Sequence, residues 1–533
     1  MALLVATPRR APWALSGVSG LIVAAVTLPL AYVVLRAFQG GIARYIETVA
    51  TERMAGLLWR TSILIAGALA VAVPVALTGA WLVVRTDLKW RRFWATVLAL
   101  PLVFPSYVAA FALIAVLGPS GLLQGVLEPL GVERLPGIVY GYSGALIVLS
   151  LFTYPYIYLL LVPAWSALDP ALEESSRTLG AGPLRTWRGV VLPQLRSPLY
   201  AGGLLVALYV VSDFGAVSLV RYNTLTLSVF HAYRSLFDRT IAAATATVLI
   251  AVAILLVVLQ ARAQRGFRAV RRGATRPSPR VVLGRAQAPA QFGLALFALV
   301  TVGIPGGVVI SWGLRAIAVG NPLGAIGAAL SHSLQVSLLA ALAASILALP
   351  VAFWAVRFPT RVSRTAERLC YSGYALPGLV VALALVFFVT RHAGFLYQTS
   401  ALLVLAYVVR FLPEALSATR SALSDVAPDF EDAARVLGHS RWSAWRRVTL
   451  PMIAPGIAAG AGLVFLTTMK ELPATMILRP TGFETLATRI WAAADEGIFS
   501  EAALPALLLL VVSVLPVWWL SIRPALRDRE SRS

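Results

Sequence analysis

The chain has 533 residues, of which 59% are hydrophobic and 13% are charged, and its mean hydropathy is +0.81. Soluble domains carry about 25% charged residues, so this composition argues against a cytosolic enzyme and, despite the net charge of +22, against a soluble nucleic-acid-binding protein. The single cysteine, Cys370, excludes an intrachain disulfide and a cysteine-based metal site.

Apolar windows of membrane-spanning length recur along the whole chain. A helix needs about 20 residues to cross about 30 Å of hydrocarbon, whereas barrel strands would be about ten residues long and alternating. We therefore predict an all-α membrane protein with about twelve transmembrane helices. The windows are 13–36, 61–84, 93–117, 138–162, 198–220, 241–261, 291–314, 334–356, 370–390, 398–415, 453–478 and 503–522.

The distribution of basic residues predicts the orientation of these helices. If the N-terminus is cytoplasmic, 31 of the 45 Lys and Arg fall in segments that face the cytoplasm. This asymmetry follows the positive-inside rule and predicts that both termini are cytoplasmic. The densest basic block, at 262–290, contains no acidic residue and predicts a linker that lies against anionic membrane lipid. A nucleic-acid-binding arm is the alternative, and we expect no nucleic-acid partner.

A repeat is visible in the polar loops. The segment Glu174–Gly180 recurs as Asp432–Gly438 at an offset of 258, and the register continues without a gap to Pro193 and Pro451. Over residues 174–193, eight of the twenty positions are identical to their counterparts. The repeat predicts two duplicated six-helix units, related by an axis along the membrane normal because six spans restore the orientation. The predicted divisions are a first unit at 1–261, the basic linker at 262–290 and a second unit at 291–533.

Each repeated loop has the local signals of two short helices joined by a tight corner. A helix is predicted over 171–179, and Gly180 suits the left-handed position that ends it. In the later copy Ser440 is placed to cap the second helix. Pro193 and Pro451 are predicted to break the chain before it enters the membrane again.

The repeated pattern resembles the cytoplasmic loop of binding-protein-dependent ABC importer permeases, in which an acidic residue and two alanines precede a glycine. The resemblance implies coupling helices near 171–187 and 429–445, each held by a separate ATPase subunit. It also implies two copies of that ATPase, which use the ATP, an extracytoplasmic iron-binding protein, and a location in the bacterial inner membrane. The implied coupling residues are Glu174, Arg177, Gly180, Trp187, Leu192, Pro193, Glu431, Asp432, Ala433, Ala434, Arg435, Gly438, Trp445, Leu450 and Pro451.

The substrate is indicated by one segment. Residues Met469–Trp491 resemble the fused permeases of iron(III) importers, although thiamine and phosphonate importers also use a single chain with two units. The chain has no P-loop, because neither Lys89 nor Lys470 follows the required glycine or precedes Ser or Thr. We therefore expect no bound cofactor and no catalytic site, and an ion-coupled secondary transporter is the alternative mechanism.

Two acidic residues lie inside predicted spans at matching positions, Asp213 and Glu471. An acid at this depth costs a few kcal/mol unless it faces water or a partner. Gly215 and Pro473 follow two residues later and can break the helix. Two interpretations stay open: the acids line a cation pathway together with Lys470 and Pro473, or they form ion pairs that stabilise a bend. No residue is assigned as a metal ligand. The partners considered for the ion pairs are Lys470, Arg479 and Arg221.

Overall fold

The computed structural model describes residues 11–119, 121–130, 137–234, 239–263, 280–318, 323–373 and 376–513. Within these ranges the chain is helical apart from turns and loops, and its one extended pairing is an isolated bridge between Thr86 and Val281. Helices satisfy their backbone hydrogen bonds within one segment, as a chain surrounded by hydrocarbon requires. The predicted all-α membrane fold is confirmed.

The first half of the chain contains long helices separated by short ones. They are α1 (Trp13–Ala37), α2 (Gly41–Val49), α3 (Glu52–Arg85), α4 (Arg91–Val97), α5 (Ser106–Leu117), α6 (Leu122–Leu127), α7 (Gly141–Ser166), α8 (Pro170–Thr178), α9 (Pro183–Thr186), α10 (Leu192–Ser212), α11 (Gly215–Leu219), α12 (Leu225–Arg234) and α13 (Arg239–Ala263).

The second half repeats this order of long and short helices. They are α14 (Gln287–Ala298), α15 (Ile304–Ala318), α16 (Leu323–Arg357), α17 (Arg361–Ser372), α18 (Gly378–His392), α19 (Ser400–Asp425), α20 (Asp429–Val436), α21 (Arg441–Ala444), α22 (Leu450–Met469), α23 (Pro473–Leu478), α24 (Leu486–Asp495) and α25 (Phe499–Ser513).

Every predicted window overlaps an apolar helix, although those at 198–220 and 453–478 run past the ends of α10 and α22 at Ser212 and Met469. Among the described residues, ten helices are long and apolar enough to cross a membrane, and the shorter α18 and α25 account for the remaining two windows. The windows at 93–117 and 370–390 begin too early, because α5 and α18 start only after Pro105 and Pro377. Residues 514–522 of the last window lie outside the described residues.

The prediction that Pro193 and Pro451 break the chain is wrong. Both prolines lie inside continuous helices, which run over Pro183–Ser212 and Arg441–Met469. The reason is a π-helical turn directly before each proline, at Trp187–Val191 and Trp445–Thr449. This wider turn leaves room for a residue that lacks an N–H group, so the proline does not interrupt the helix.

Each half has a core of three long helices, α3 with α7 and α10, and α16 with α19 and α22. Glycines allow close helix contacts at equivalent places. A Cβ atom at Gly202 would lie 2.6 Å from the Cα of Ile157, and one at Gly460 would lie 3.1 Å from the Cα of Ala415. Both contacts obey the offset of 258, so the duplication extends from the loops into the packing of the helices.

The opening helices of the two halves are exchanged. Helix α1 packs against α16, α17 and α18 of the second half, where the ring of Tyr32 lies 5.6 Å from that of Phe388. Helices α14 and α15 lie against the first half, where Trp94 donates a hydrogen bond to Gln291 (2.8 Å) and α15 contacts α5. The halves are therefore interlocked rather than placed side by side.

Most of the predicted basic linker, residues 264–279, lies outside the described residues. Its end is held beside the end of α3, because the N–H of Val281 donates to the carbonyl of Arg85 (2.7 Å). The side chain of Asp87 also accepts a hydrogen bond from the N–H of Leu283 (2.9 Å). The second half thus begins next to the end of α3, on the side of the molecule that carries α8.

Candidate functional site

Two compact elements, which we call the docking elements, project from the same side of the molecule. The first comprises residues 170–191 and the second comprises residues 429–449. Each consists of a short helix, a corner and a second short helix that leads through the π-turn into α10 or α22. The repeated loops therefore have the predicted helix pairs, and Ser440 caps the second one by accepting from the N–H of Ser443 (3.2 Å).

Both corners have the same hydrogen bonds. The N–H of Gly180 donates to the carbonyl of Arg177 (2.9 Å), and that of Gly438 donates to Arg435 (3.0 Å). The glycines have φ angles of +80° and +88°, and no atom lies within 4 Å of the position that a Cβ would take. Glycine is therefore needed for the left-handed backbone conformation and not for lack of space.

Apolar side chains are exposed at matching positions on the two docking elements. Leu179 and Leu437 are 87% and 81% exposed at the corners. Large exposed apolar groups that cluster on a polar element indicate a protein contact surface. The three matched pairs, each separated by 258 residues, are Leu172 and Phe430, Leu179 and Leu437, and Leu184 and Trp442.

Each docking element is joined to a long membrane helix by an ion pair. Arg85, the last residue of α3, contacts Glu173 (2.5 Å), and Arg357, the last residue of α16, contacts Glu431 (3.1 Å). Sequence reasoning missed Arg85, Arg357 and Glu173. A signal was available, because Glu173 and Glu431 differ by 258 and both arginines end long apolar segments.

The predicted coupling residues fall into two groups. One group faces outward, and within it Asp432 forms an exposed ion pair with Arg435 (3.2 Å). The other group anchors the docking element, and within it Trp445 stacks on Trp442 at 5.1 Å. The outward group is Glu174, Arg177, Gly180, Asp432, Ala433, Arg435, Gly438 and Pro451, and the anchoring group is Trp187, Leu192, Pro193, Glu431, Ala434, Trp445 and Leu450.

The helix breaks predicted at the internal acids are present in both halves. Helix α10 ends at Ser212, and α11 begins at Gly215. Between them, Asp213 accepts hydrogen bonds from the N–H groups of Ala216 (3.0 Å) and Val217 (3.2 Å) and from the hydroxyl of Ser106. The carboxylate therefore caps the short helix that follows the break.

Glu471 occupies the equivalent break in the second half. Its carboxylate accepts from the N–H of Ala474 (3.1 Å) and forms a buried ion pair with Arg410 (2.6 Å). The predicted partners Lys470, Arg479 and Arg221 are therefore wrong for this residue. The guanidinium of Arg410 fits beside Glu471 because residue 378 is glycine. A Cβ atom at Gly378 would lie only 1.9 Å from the Nη1 atom of Arg410.

The two breaks lie next to each other where the halves meet. A Cβ at Gly215 would lie 2.8 Å from the Cβ of Tyr107 and 3.1 Å from a methyl group of Leu472. Lys470 donates to the carbonyl of Leu102 in the other half (3.4 Å), and Pro473 opens α23. The four predicted pathway residues are thus gathered at one interface.

Helix α19 contributes a second carboxylate that the sequence reasoning missed. Glu414 accepts a hydrogen bond from the hydroxyl of Thr467 (3.0 Å). The equivalent positions in the first half are Tyr156 and Tyr209, whose rings lie 5.8 Å apart. An indicator was present, because Glu414 directly follows Pro413, which is 258 residues after Pro155.

Comparison with known proteins identifies the repeated unit. The family described as "Binding-protein-dependent transport system inner membrane component" matches residues 72–269 and 340–522. The Fe(3+)-transport system permease protein FbpB 2 of Haemophilus influenzae is 32% identical over 523 residues, which cover 96% of this chain and 99% of that protein.

Other relatives match a smaller part of the chain. The sulfate transport system permease protein CysW of Escherichia coli is 29% identical over 40% of this chain and 74% of its own length. The molybdenum transport system permease protein ModB of Azotobacter vinelandii is 30% identical over 29% of this chain and 66% of its own length. This chain belongs to the family of binding-protein-dependent inner-membrane transport components, as an ABC importer permease in which two copies of the family's unit are fused.

Proposed function

We propose that this chain forms the membrane pathway of an iron(III) importer and is driven by two copies of a cytoplasmic ATPase that bind the docking elements. In this proposal both termini are cytoplasmic, the units are 1–261 and 291–533, and 262–290 joins them against the membrane surface. ATP is bound by the ATPase subunits, and this chain has neither cofactor nor catalytic site of its own. An iron-binding protein delivers the cargo on the opposite side.

The observation that carries the coupling role is the pair of exposed apolar surfaces on the docking elements. Each docking element is rigid, because it has a hydrogen-bonded corner and an ion pair to α3 or α16. Each also leads into an uninterrupted helix of 30 or 29 residues. Movement of a bound ATPase is therefore transmitted along about 40 Å of helix toward the breaks at Asp213 and Glu471.

The interior of the membrane region is suited to a gate. Both acids are tied to backbone N–H groups and to a side-chain partner, which supports a role in stabilising the bends. Glu414 and Lys470 are only half-buried and are the groups available to line a pathway. In this proposal the binding protein selects the cargo, and the permease holds no tight metal site.

Iron is supported by the similarity to the Fe(3+) permease over nearly the whole chain. The sulfate and molybdenum permeases match shorter stretches, and thiamine or phosphonate importers of the same design are the further alternatives. Uptake of radioactive iron by a deletion strain that carries this chain, compared with uptake of sulfate, molybdate and thiamine, separates these cargoes. Iron uptake that does not depend on the chain would contradict the assignment.

The coupling role is tested at Gly438. Valine at a φ of +88° costs about 1–3 kcal/mol, so Gly438→Val should distort the corner and reduce ATP-driven uptake while membrane insertion is unchanged. Gly438→Asn is the matched control, because asparagine tolerates the left-handed conformation, and it should retain most of the uptake.

Normal uptake by Gly438→Val, or failure of the ATPase to copurify with the wild-type chain, would refute the coupling role. If an uncoupler abolished uptake while ATP was held constant, the chain would instead be an ion-coupled secondary transporter.

A further inference from the structure

A cavity of about 360 Å³ lies between the two halves on the side opposite the docking elements. Helix α22 starts at the second docking element and spans about 30 Å before its break, and the cavity is lined by residues beyond that break. Phe230, Tyr233 and Arg234 line it from the first half, and Gln398 and residues 476–477 and 479–484 line it from the second. The cavity therefore opens at the outer mouth of the interface between the halves.

Two arginines from opposite halves face this cavity, Arg234 and Arg479. Burial lowers the pKa of Arg479; the nearby Glu484 carboxylate raises it, and the Arg234 guanidinium lowers it. Glu484 is bound by Arg489 (3.1 Å). In the part of the chain that the structure describes, neither Arg234 nor Arg479 has a carboxylate within ion-pair distance.

The cavity also offers neutral hydrogen-bonding groups. The hydroxyl of Thr481 donates to the side-chain amide of Gln398 (3.1 Å), and both residues line the cavity. Its volume falls within the range of small-molecule sites, about 300–1,000 Å³. Guanidinium groups carry N–H donors without acceptors and match the oxygens of carboxylate, phosphate or sulfate groups. A bare cation would be repelled here, whereas an oxygen-rich anion would be bound.

We propose that the outer mouth contains a binding site for an oxyanion or carboxylate, formed by Arg234 and Arg479 across the two halves. The inference rests on the proposed import function and specifies its substrate class: the cargo enters as an anion or as a complex with one. An anion of this chemistry is either the cargo itself or a ligand that accompanies iron(III), which is a hard ion that favours oxygen donors. An anion bound in the cavity would bridge Arg234 of the first half and Arg479 of the second.

The site is tested by titration of the full chain in lipid nanodiscs with inorganic phosphate, sulfate and citrate, against sodium chloride at equal ionic strength. We expect saturable binding of at least one of the three anions. Arg479→Gln and Arg234→Gln should each weaken binding about 10-fold to 100-fold, the range for a charge-assisted hydrogen bond. Arg221→Gln is the matched control, because Arg221 is the counterpart of Arg479 in the first half but lies over the ring of Tyr140 and outside the cavity.

Absence of saturable binding, or equal weakening by Arg221→Gln, would overturn the proposal. Uptake into proteoliposomes with the ATPase and the binding protein then separates the two sources of the anion. Labelled anion that enters without metal identifies the anion as cargo, and labelled anion that enters only with iron(III) identifies it as the accompanying ligand. Uptake at the wild-type rate in both arginine variants would refute a role in entry. Copurification of the ATPase reports separately on the proposed function.

Discussion

The docking elements and the membrane breaks differ in how closely the two halves agree. At the docking elements the corner glycines, the ion pairs to the ends of α3 and α16, and the exposed apolar positions all recur in both copies. At the breaks, the acid and its hydrogen bond from the N–H group three residues later recur, but the side-chain partner does not: Asp213 bonds to Ser106, whereas Glu471 bonds to Arg410. Symmetry is thus retained where, in the proposed function, two equal partners would bind, and it is reduced where a single pathway would run.

The same difference is seen one turn of helix away. The first half has the aromatic pair Tyr156 and Tyr209, and the second half has the polar pair Glu414 and Thr467. Charged groups at the interface therefore come mainly from the second half.

The largest effect is expected when the break of the second half loses its cation. Arg410→Met leaves Glu471, whose side chain is 5% exposed, without a counter-charge, and breaking a buried pair in this way costs about 3–5 kcal/mol. Thermal unfolding can be followed through the buried Cys370, the single cysteine of the chain. Ser106→Ala removes the side-chain partner of Asp213 in the first half. It should lower the free energy of unfolding by only about 1 kcal/mol. Equal losses would mean that the two breaks are equivalent after all.

A smaller but still large effect is expected at the ion pairs of the docking elements. Arg85→Met should lower the free energy of unfolding by about 3 kcal/mol, because the side chains of Arg85 and Glu173 are both less than 10% exposed. Arg357→Met should cost less, since Glu431 is 22% exposed and keeps its hydrogen bond from Thr449 (2.9 Å). The midpoint of thermal unfolding of each variant in nanodiscs checks the order of the two losses. A larger loss in Arg357→Met would contradict it.

Gly378→Ala should cost about 1–3 kcal/mol, the usual penalty of overpacking, because the added Cβ would overlap the guanidinium of Arg410. Gly293→Ala is the control within a helix, since no atom lies within 4 Å of its added Cβ, and it should be neutral or slightly stabilising. The midpoints of thermal unfolding of the two variants test this contrast directly. Equal midpoints would show that Arg410 can move without cost.

The smallest effect is expected at Asp432, although it belongs to the repeated motif. Its ion pair with Arg435 is 46% and 38% exposed, and such a pair contributes about 0.5 kcal/mol or less. Asp432→Lys should therefore leave unfolding and uptake nearly unchanged, because the residue that anchors the element to α16 is Glu431. A loss of uptake comparable with that of Gly438→Val would show that Asp432 itself contacts the ATPase.

The sequence was sufficient for the features that depend on local chemistry or on spacing. The twelve windows, the corner glycines and the cap at Ser440 are local signals, and the offset of 258 revealed the duplication. The π-turns before Pro193 and Pro451 were missed, because the proline rule assumes a regular α-helix. The partner of Glu471 was missed because Arg410 lies on another helix, 61 residues earlier, and only the packing of α19 against the break brings them together.

The exchange of the opening helices has a consequence for how such a protein can be encoded. Since α1 packs on α16, α17 and α18 of the second half and α15 packs on α5 of the first, helix contacts hold the halves together in addition to the covalent connection. Two separately translated polypeptides would associate through the same contacts. A fused gene and a pair of genes would then be equivalent solutions.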